Sequence, residues 1–250
     1  MLRVLQIGPW HITTFGLFVW LGAFAGLLWA WREGERWGLR RRQITDAVLI
    51  TLAGAFIGGR ATYVALNWGD YTTDFRRVVT FWGGGLSFPG AFIGGLLALV
   101  LAYRLRSFPL WTLADLMAQS LTLGQVFGWI GALLYGSQYG RVLESPLSLK
   151  LPDIYGIVEP RFPLQIASAL CAAVLFTLLW ATKRRLYAPG TVAGLYATLY
   201  GGALFLLGFV RGDEASLIGL FRTDQWGYLL MMVAGLALWG LQHRYRSPQG

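Results

Sequence analysis

The sequence predicts an all-α membrane protein with about seven transmembrane helices. Three observations predict it: an apolar excess, a series of long apolar stretches, and the clustering of cations in alternate connections. Of the 250 residues, 56% are hydrophobic and only 13% are charged, which is about half the charged share of a soluble domain. A single water-soluble core cannot bury that much apolar surface, so hydrocarbon is the expected surrounding of the chain.

Seven stretches have the roughly 20 mostly apolar residues that a membrane-spanning helix needs. They lie at about 11–31, 46–67, 85–103, 110–135, 163–182, 189–210 and 225–242. The longest polar connection, 137–161, contains Pro146, Pro152 and Pro160, and we expect it to form a small extracytoplasmic cap. No stretch has the composition of a soluble domain, so residues 1–250 are predicted to form a single membrane-embedded domain.

The distribution of basic residues predicts the orientation, because short basic loops stay on the cytoplasmic side. The first, third and fifth connections and the C-terminal tail hold twelve of the 21 Lys and Arg residues but only two acidic residues. In the other connections and the N-terminal segment, eight cations are offset by eight acidic residues. The N-terminus is therefore predicted outside and the C-terminus in the cytoplasm. This clustering also accounts for the net charge of +9 without a nucleic-acid partner.

Arg60 is the most informative polar residue, because it lies inside the second predicted span. An arginine at that depth either faces a cavity, a lipid head group or a partner, or reaches the interface, where Tyr63 and Asn67 end the helix. Four more arginines are predicted on the outer side, namely Arg141, Arg161, Arg211 and Arg222. They either bind a phospholipid phosphate, which guanidinium groups match, or are solvated loop residues.

No metal or cofactor is expected. The two histidines, His11 and His243, fall on opposite predicted faces, and the single cysteine, Cys171, lies in an apolar run. A Ser–His–Asp set at one depth and a glycine-rich phosphate loop are both missing from the sequence.

A series of short motifs resembles the prolipoprotein diacylglyceryl transferases of bacterial inner membranes. In chain order they are IGP at 7–9 with FG at 15–16, GGRATY at 58–63, WGGGLSFPGAFIG at 82–94, YGSQYGR at 135–141, RFPLQ at 161–165, and then Gly190, Gly194, Tyr200, Gly201, Arg211 and Gln225. The resemblance covers nearly the whole chain. It implies a diacylglyceryl transferase-like fold of seven spans in the bacterial inner (plasma) membrane.

The resemblance also implies a class of reaction and of ligand. That family moves a diacylglyceryl group from phosphatidylglycerol to the lipobox cysteine of a prolipoprotein, and glycerol phosphate leaves. The reaction needs cations on the phosphate and a group that helps the thiol lose its proton. Phosphatidylglycerol is therefore the expected phospholipid partner, and prolipoprotein signal peptides or other membrane subunits are the expected protein partners. The candidates for binding the lipid head group are Arg60, Arg141, Gln165, Tyr200 and Arg161.

This chain differs from the family at the positions that carry the chemistry. The substituted positions are Phe15, Pro89, Trp129, Ala132, Ser137, Phe162, Leu164, Ala167, Ser168, Leu204 and Gly208. Pro89 stands where the family has His, and Trp129 and Leu204 each stand where it has Arg. Losing one such charge removes transition-state stabilisation worth on the order of 10²–10³ in rate, so no catalytic residue is assigned.

Two functions follow from this pattern. In the first, the chain is a divergent diacylglyceryl transferase that keeps some activity through Arg60, Arg141 and Tyr200. In the second, it is a catalytically lapsed relative that serves as a lipid-binding or assembly subunit of a larger membrane complex. The number of substitutions favours impaired catalysis. A solute transporter is disfavoured, because no inverted repeat with paired broken helices is visible.

Overall fold

The computed structural model of the chain describes residues 4–7, 10–72, 75–79, 87–106, 109–182, 188–214 and 217–244. Its helices are α1 (Thr14–Gly34), α2 (Arg41–Leu66), α3 (Trp68–Tyr71), α4 (Arg76–Val79), α5 (Phe88–Arg106), α6 (Leu110–Tyr135), α7 (Leu164–Thr182), α8 (Thr191–Leu207) and α9 (Thr223–Arg244). Three antiparallel hairpins pair β1 (Val4–Ile7) with β2 (Trp10–Thr13), β3 (Leu149–Pro152) with β4 (Val158–Arg161), and β5 (Leu217–Ile218) with β6 (Phe221–Arg222).

The prediction of an all-α membrane protein is confirmed. Within the described residues, five helical segments are long and apolar enough to cross a membrane, namely Thr14–Trp37, Arg41–Leu66, Leu110–Tyr135, Leu164–Ala181 and Thr191–Val210. Each coincides with a predicted span. The other two predicted spans also form helices, α5 and α9, and α5 contains a shorter apolar segment, Ile93–Arg104.

The first span begins three residues later than predicted. Residues 10–13 pair with residues 4–7 as a β-hairpin, in which Val4 lies opposite Thr13. The Thr13 hydroxyl then accepts the backbone N–H of Gly16 at 3.1 Å. A side-chain oxygen at this place satisfies one of the N–H groups that the first turn of a helix leaves free, so α1 starts at Thr14.

The chain divides into two compact units, residues 31–113 and residues 1–30 with 114–250. In the larger unit, small residues bring α1 and α6 together in antiparallel directions. A Cβ on Gly22 would lie 2.6 Å from the carbonyl oxygen of Gly124, and one on Gly26 would lie 2.8 Å from that of Ser120. Such close backbone approach is the usual way in which helices associate where no hydrophobic effect drives them.

Asp115 connects α6 to the start of α8 in the larger unit. Its buried carboxylate accepts the backbone N–H groups of Gly190 and Ala193, both at 2.7 Å. A carboxylate is favoured there because helix N-terminal N–H groups carry partial positive charge. The sequence places Asp115 near the start of its own helix, whereas the structure shows that it caps a different one.

In the smaller unit, α2 and α5 pack as an antiparallel pair through glycines spaced four apart. A Cβ on Gly58 would lie 2.4 Å from the carbonyl oxygen of Gly90, and one on Gly94 would lie 2.3 Å from that of Gly54. The backbones therefore touch directly, as this spacing predicts.

Pro89 does not break the helix within α5. Pro89 occupies the first turn, where its missing N–H costs no hydrogen bond, and α5 continues to Arg106. The backbone N–H of Ser87, just before the helix, donates to the carbonyl of Gly59 at 3.0 Å. Residues 80–86, which include Trp82 and the three glycines that follow it, lie outside the described residues.

The glycine contacts of α2 and α5 give a stability prediction. Gly58→Ala should lower the stability of the protein in detergent by about 1–3 kcal/mol, because the new methyl group must push two backbones apart. Gly128→Ala is the matched control, since a Cβ at Gly128 meets nothing within 4 Å. Apparent melting temperatures followed by size-exclusion chromatography measure the difference, and an equal effect of both substitutions would contradict direct backbone packing.

Candidate functional site

A half-open groove runs between α6 and α7. Its volume is about 240 Å³, and it is lined by Val126, Trp129, Ile130 and Leu133 of α6 and by the facing side of residues 165–173 of α7. The lining is apolar except for Gln165. Because both helices are membrane spans, the groove suits hydrocarbon. It is smaller than the ~300–1,000 Å³ typical of drug-sized ligands, so it has room for part of an acyl chain but not for a whole phospholipid.

The inner wall of this groove is held by two polar contacts between α6 and α8. The indole N–H of Trp129 donates to the Tyr200 hydroxyl at 3.0 Å, and the Gln125 amide donates to the Tyr196 hydroxyl at 2.6 Å. The two tyrosine rings stack with centroids 5.6 Å apart. Tyr200, a predicted head-group residue, is therefore buried and takes part in helix packing.

Gln165 forms the polar end of the groove. Its amide N–H donates to the carbonyl of Ser137 at 3.0 Å, which ties the start of α7 to the turn after α6. In the described part of the chain, the amide oxygen of Gln165 and the hydroxyl of Ser168, one turn further, are buried without hydrogen-bond partners. Such groups are costly inside a protein.

Arg161 is buried and neutralised by two carboxylates. Its guanidinium lies 3.1 Å from Asp153 and 2.7 Å from Glu159, and it covers the ring of Tyr139 at 4.7 Å. Burial acts to raise the pKa of Asp153. This effect is outweighed by the backbone N–H groups of Ile157 and Tyr155 and by the charge of Arg161, so the pKa is lowered. Burial also raises the pKa of the Tyr139 phenol, and the charge of Asp153 adds to this effect.

Arg211 and Arg222 form a closed network with Asp213 and Asp224. Arg211 contacts Asp213 at 2.5 Å and Asp224 at 2.7 Å, and Arg222 contacts the same two carboxylates at 3.2 and 3.3 Å. All four side chains are at most partly exposed, so little charge is left for a ligand. The network joins the end of α8 to the start of α9.

Arg141 differs from the other three outer arginines, because its side chain is exposed. Its backbone holds the connection in place: its N–H donates to Val210 at 2.9 Å, and its carbonyl accepts from Phe162 at 3.0 Å. Within the described residues, no carboxylate pairs with its guanidinium. Arg141 is thus the candidate head-group residue with the most accessible charge.

Arg60 lies in the smaller unit and is buried. Its guanidinium donates to the carbonyls of Val78 at 2.9 Å and Arg77 at 2.5 Å, and it lies over the rings of Tyr63 and Tyr71 at 5.9 and 5.5 Å. Of the two sequence-based alternatives, the structure shows a protein partner: Arg60 holds the C-terminal end of α4, where helix carbonyls attract a cation.

The five candidates therefore divide between the units. Arg141, Arg161 and Gln165 meet around the turn at residues 136–141, and Tyr200 reaches the same groove through Trp129. Arg60 belongs to the other unit. Whether any of the five binds a head group stays a prediction.

The sequence interpretation missed the acidic partners of the arginines. The equal numbers of cations and acidic residues in these connections were the signal that could have found them.

Four of the positions at which the sequence analysis places substitutions are packed against neighbouring residues in the larger unit. Ala132 and Leu204 are buried, and the indole of Trp129 is bonded to Tyr200. At Gly208 a Cβ would lie 2.6 Å from the side chain of Gln225, so a larger residue does not fit there without displacing it.

Comparisons with known proteins agree with the resemblance seen in the sequence. The family model described as prolipoprotein diacylglyceryl transferase matches residues 3–241. A phosphatidylglycerol–prolipoprotein diacylglyceryl transferase of Bordetella avium is 31% identical over 98% of this chain and 96% of its own length. Proteins of the same name from Aeromonas salmonicida and Bacillus licheniformis are 32% and 28% identical, over 98% and 93% of this chain and 90% and 89% of their own lengths.

The neutralisation of Arg161 gives a pH-dependent prediction. Asp153→Asn should lower the apparent melting temperature in detergent at pH 7, because it leaves Arg161 buried beside a neutral amide. Since the folded state lowers the pKa of Asp153, its stabilising contribution is complete above the unfolded-state pKa and is lost as the pH falls through the lower folded-state value. The difference in apparent melting temperature between the wild type and Asp153→Asn should therefore disappear only in strong acid.

Glu159→Gln is the matched control for this experiment. Glu159 contacts the same guanidinium but is about two-fifths exposed, and ion pairs of that kind contribute about 0–1 kcal/mol. Equal losses in both variants would show that Asp153 is not the main partner of Arg161.

Proposed function

Because the chain belongs to the prolipoprotein diacylglyceryl transferase family, we propose that it binds phosphatidylglycerol in the bacterial inner membrane but transfers its diacylglyceryl group poorly or not at all. The observation that supports impaired catalysis is the buried contact of Trp129 with Tyr200, beside the buried Leu204. At Trp129 and Leu204 the family resemblance places arginines, which would stabilise the phosphate that leaves.

An indole cannot replace a guanidinium in this chemistry. It has a single N–H donor and no charge, and here that N–H is used on Tyr200. Each missing charge or donor at a developing anion lowers the rate by about 10²–10³. The losses at Trp129 and Leu204 act on one phosphate, so together they account for very slow turnover.

The remaining arginines offer little replacement. Arg161, Arg211 and Arg222 are paired with carboxylates, and Arg60 donates to backbone carbonyls. Among the candidate head-group residues, Arg141 is the exposed arginine, and it gives the alternative of residual transferase activity its main support. An exposed arginine such as Arg141 supports binding of an anionic head group, whereas the family reaction needs several cations on one phosphate.

Lipid binding is supported by the groove between α6 and α7. Its apolar lining matches part of an acyl chain, and Gln165 places a polar residue at the end of the groove. The names of the relatives give phosphatidylglycerol and prolipoprotein as their substrates. A lipobox signal peptide is therefore the first protein partner to test, and assembly with other membrane subunits is the non-catalytic alternative.

An activity assay separates these possibilities. The purified protein, in nanodiscs with phosphatidylglycerol and a lipobox peptide, should modify the peptide at least about 10²-fold more slowly than the Bordetella avium relative under the same conditions. A rate comparable to that of the relative would overturn the proposal of impaired catalysis. Rate recovery in a variant that combines Trp129→Arg, Leu204→Arg and Pro89→His would support it further.

Lipid binding needs its own readout. Ala173→Trp should fill the groove and reduce the phosphatidylglycerol that remains bound after detergent extraction, as measured by native mass spectrometry. Val174→Trp is the control, because Val174 is the adjacent residue of α7 and is two-thirds exposed outside the groove lining. If both variants keep the lipid of the wild type, the groove is not the binding site, whatever the activity assay shows.

We also propose that the protein is a single membrane-embedded domain, with the N-terminus and the 137–161 cap outside and the C-terminus in the cytoplasm. The basic first connection supports this orientation. In a Cys171→Ser background, an impermeant maleimide should label Glu144→Cys on intact cells and should label Glu35→Cys only after the cells are opened. Both positions are exposed, so the reverse pattern would contradict the orientation.

A further inference from the structure

We infer that the hairpin of residues 149–161 is an interfacial anchor, whose tip at residues 154–158 inserts into the boundary between head groups and acyl chains of the bilayer that the helices cross. This goes beyond the proposed function, because it assigns a membrane contact to a segment outside the spans. This apolar surface is thus covered by the lipid interface itself.

The composition of the tip is unusual for a turn. Ile154, Tyr155, Ile157 and Val158 are between 43% and 73% exposed, and Gly156 separates them at a φ of +94°. Turns that face water are normally built from small and polar residues. A cluster of large exposed apolar side chains marks a surface that is covered in the native environment.

The place of the hairpin in the fold indicates what covers it. Strand β4 ends at Arg161, and α7 starts at Leu164. Directly before the tip, the carbonyl oxygen of Asp153 would lie 2.8 Å from a Cβ on Gly136, and Gly136 directly follows the last residue of α6. The hairpin therefore contacts the end of one membrane span beside its tip and leads into another from its base, which places it at the level of the bilayer surface.

The tip is also held in a fixed conformation. The Asp153 carboxylate accepts the N–H groups of Tyr155 at 2.8 Å and Ile157 at 3.0 Å, and the N–H of Asp153 donates to the carbonyl of Ile157 at 3.0 Å. Arg161 fixes the same carboxylate from the other strand. Because the turn is already ordered, inserting its apolar side chains costs little conformational entropy.

A second apolar turn lies at the same end of the larger unit. Leu217, Ile218 and Leu220 are all more than half exposed, Leu220 reaching 90%. The indole of Trp226 donates to the carbonyl of Ile218 at 3.1 Å, and tryptophan is enriched at membrane interfaces. The β-bridge between Gly140 and Arg211 connects this end of α8 to the connection that carries the hairpin. Two apolar turns beside span ends favour lipid over a protein partner.

Fluorescence depth measurements test the inference. In nanodiscs of phosphatidylethanolamine and phosphatidylglycerol, a Cys171→Ser, Tyr155→Cys variant carries an NBD label at the tip. The emission should shift to the blue, and lipids with a nitroxide near the head group should quench it at least about twice as strongly as a water-soluble quencher does. The control is the same label on Glu144→Cys, which lies in the same connection but outside the hairpin.

Each outcome decides for or against the anchor. If the label at Tyr155→Cys responds to the aqueous quencher as strongly as the label at Glu144→Cys, the tip is in water and the inference fails. A blue shift without quenching by the lipid nitroxides would indicate a protein contact and would also overturn it. Ile157→Cys, on the same turn, gives a second reporter if labelling at Tyr155→Cys perturbs the fold.

Discussion

The spans of this protein cross hydrocarbon that contains no water, and this constraint explains the other features of the structure. A polar group inside the bilayer is favoured when it finds a partner within the protein, and several polar side chains in the spans of the larger unit form bonds across helices. Asp115 takes two N–H groups from α8, and the pairs Gln125–Tyr196 and Trp129–Tyr200 bind α6 to the same helix. Because these bonds cross between helices, they fix which faces of α6 and α8 meet.

The same requirement explains how Trp129 and Leu204 are accommodated inside the spans. A buried arginine at Leu204 or at Trp129 would need an anion, and in the family reaction the substrate phosphate can supply one. Here both places are filled without charge, by a leucine and by an indole with its own partner. The helices keep their packing in this way, and the lining of the groove between α6 and α7 is apolar except for Gln165.

Charged residues outside the spans can be stabilised in two ways, because water and opposite charges are both available there. Arg161, Arg211 and Arg222 are each used to join connections through Asp153, Asp213 and Asp224. Counting charges along the sequence predicted that these segments are neutral overall. It could not show which arginines are paired. Arg211 and Asp224 are brought together only by the fold, and Arg141, in the same connection as Arg161, has no such partner among the described residues.

The class of the protein, its spans and its family follow from the amino-acid sequence alone. Apolar length and motif order are local properties of the chain, so they can be recognised without any knowledge of packing. The fold was needed to show that Asp115 caps α8, that Arg60 binds the carbonyls of α4, and that Tyr200 is bonded to Trp129. These contacts join residues from 17 to 78 positions apart, and their partners are mostly backbone groups or uncharged side chains, which carry no signal in a sequence read one residue at a time.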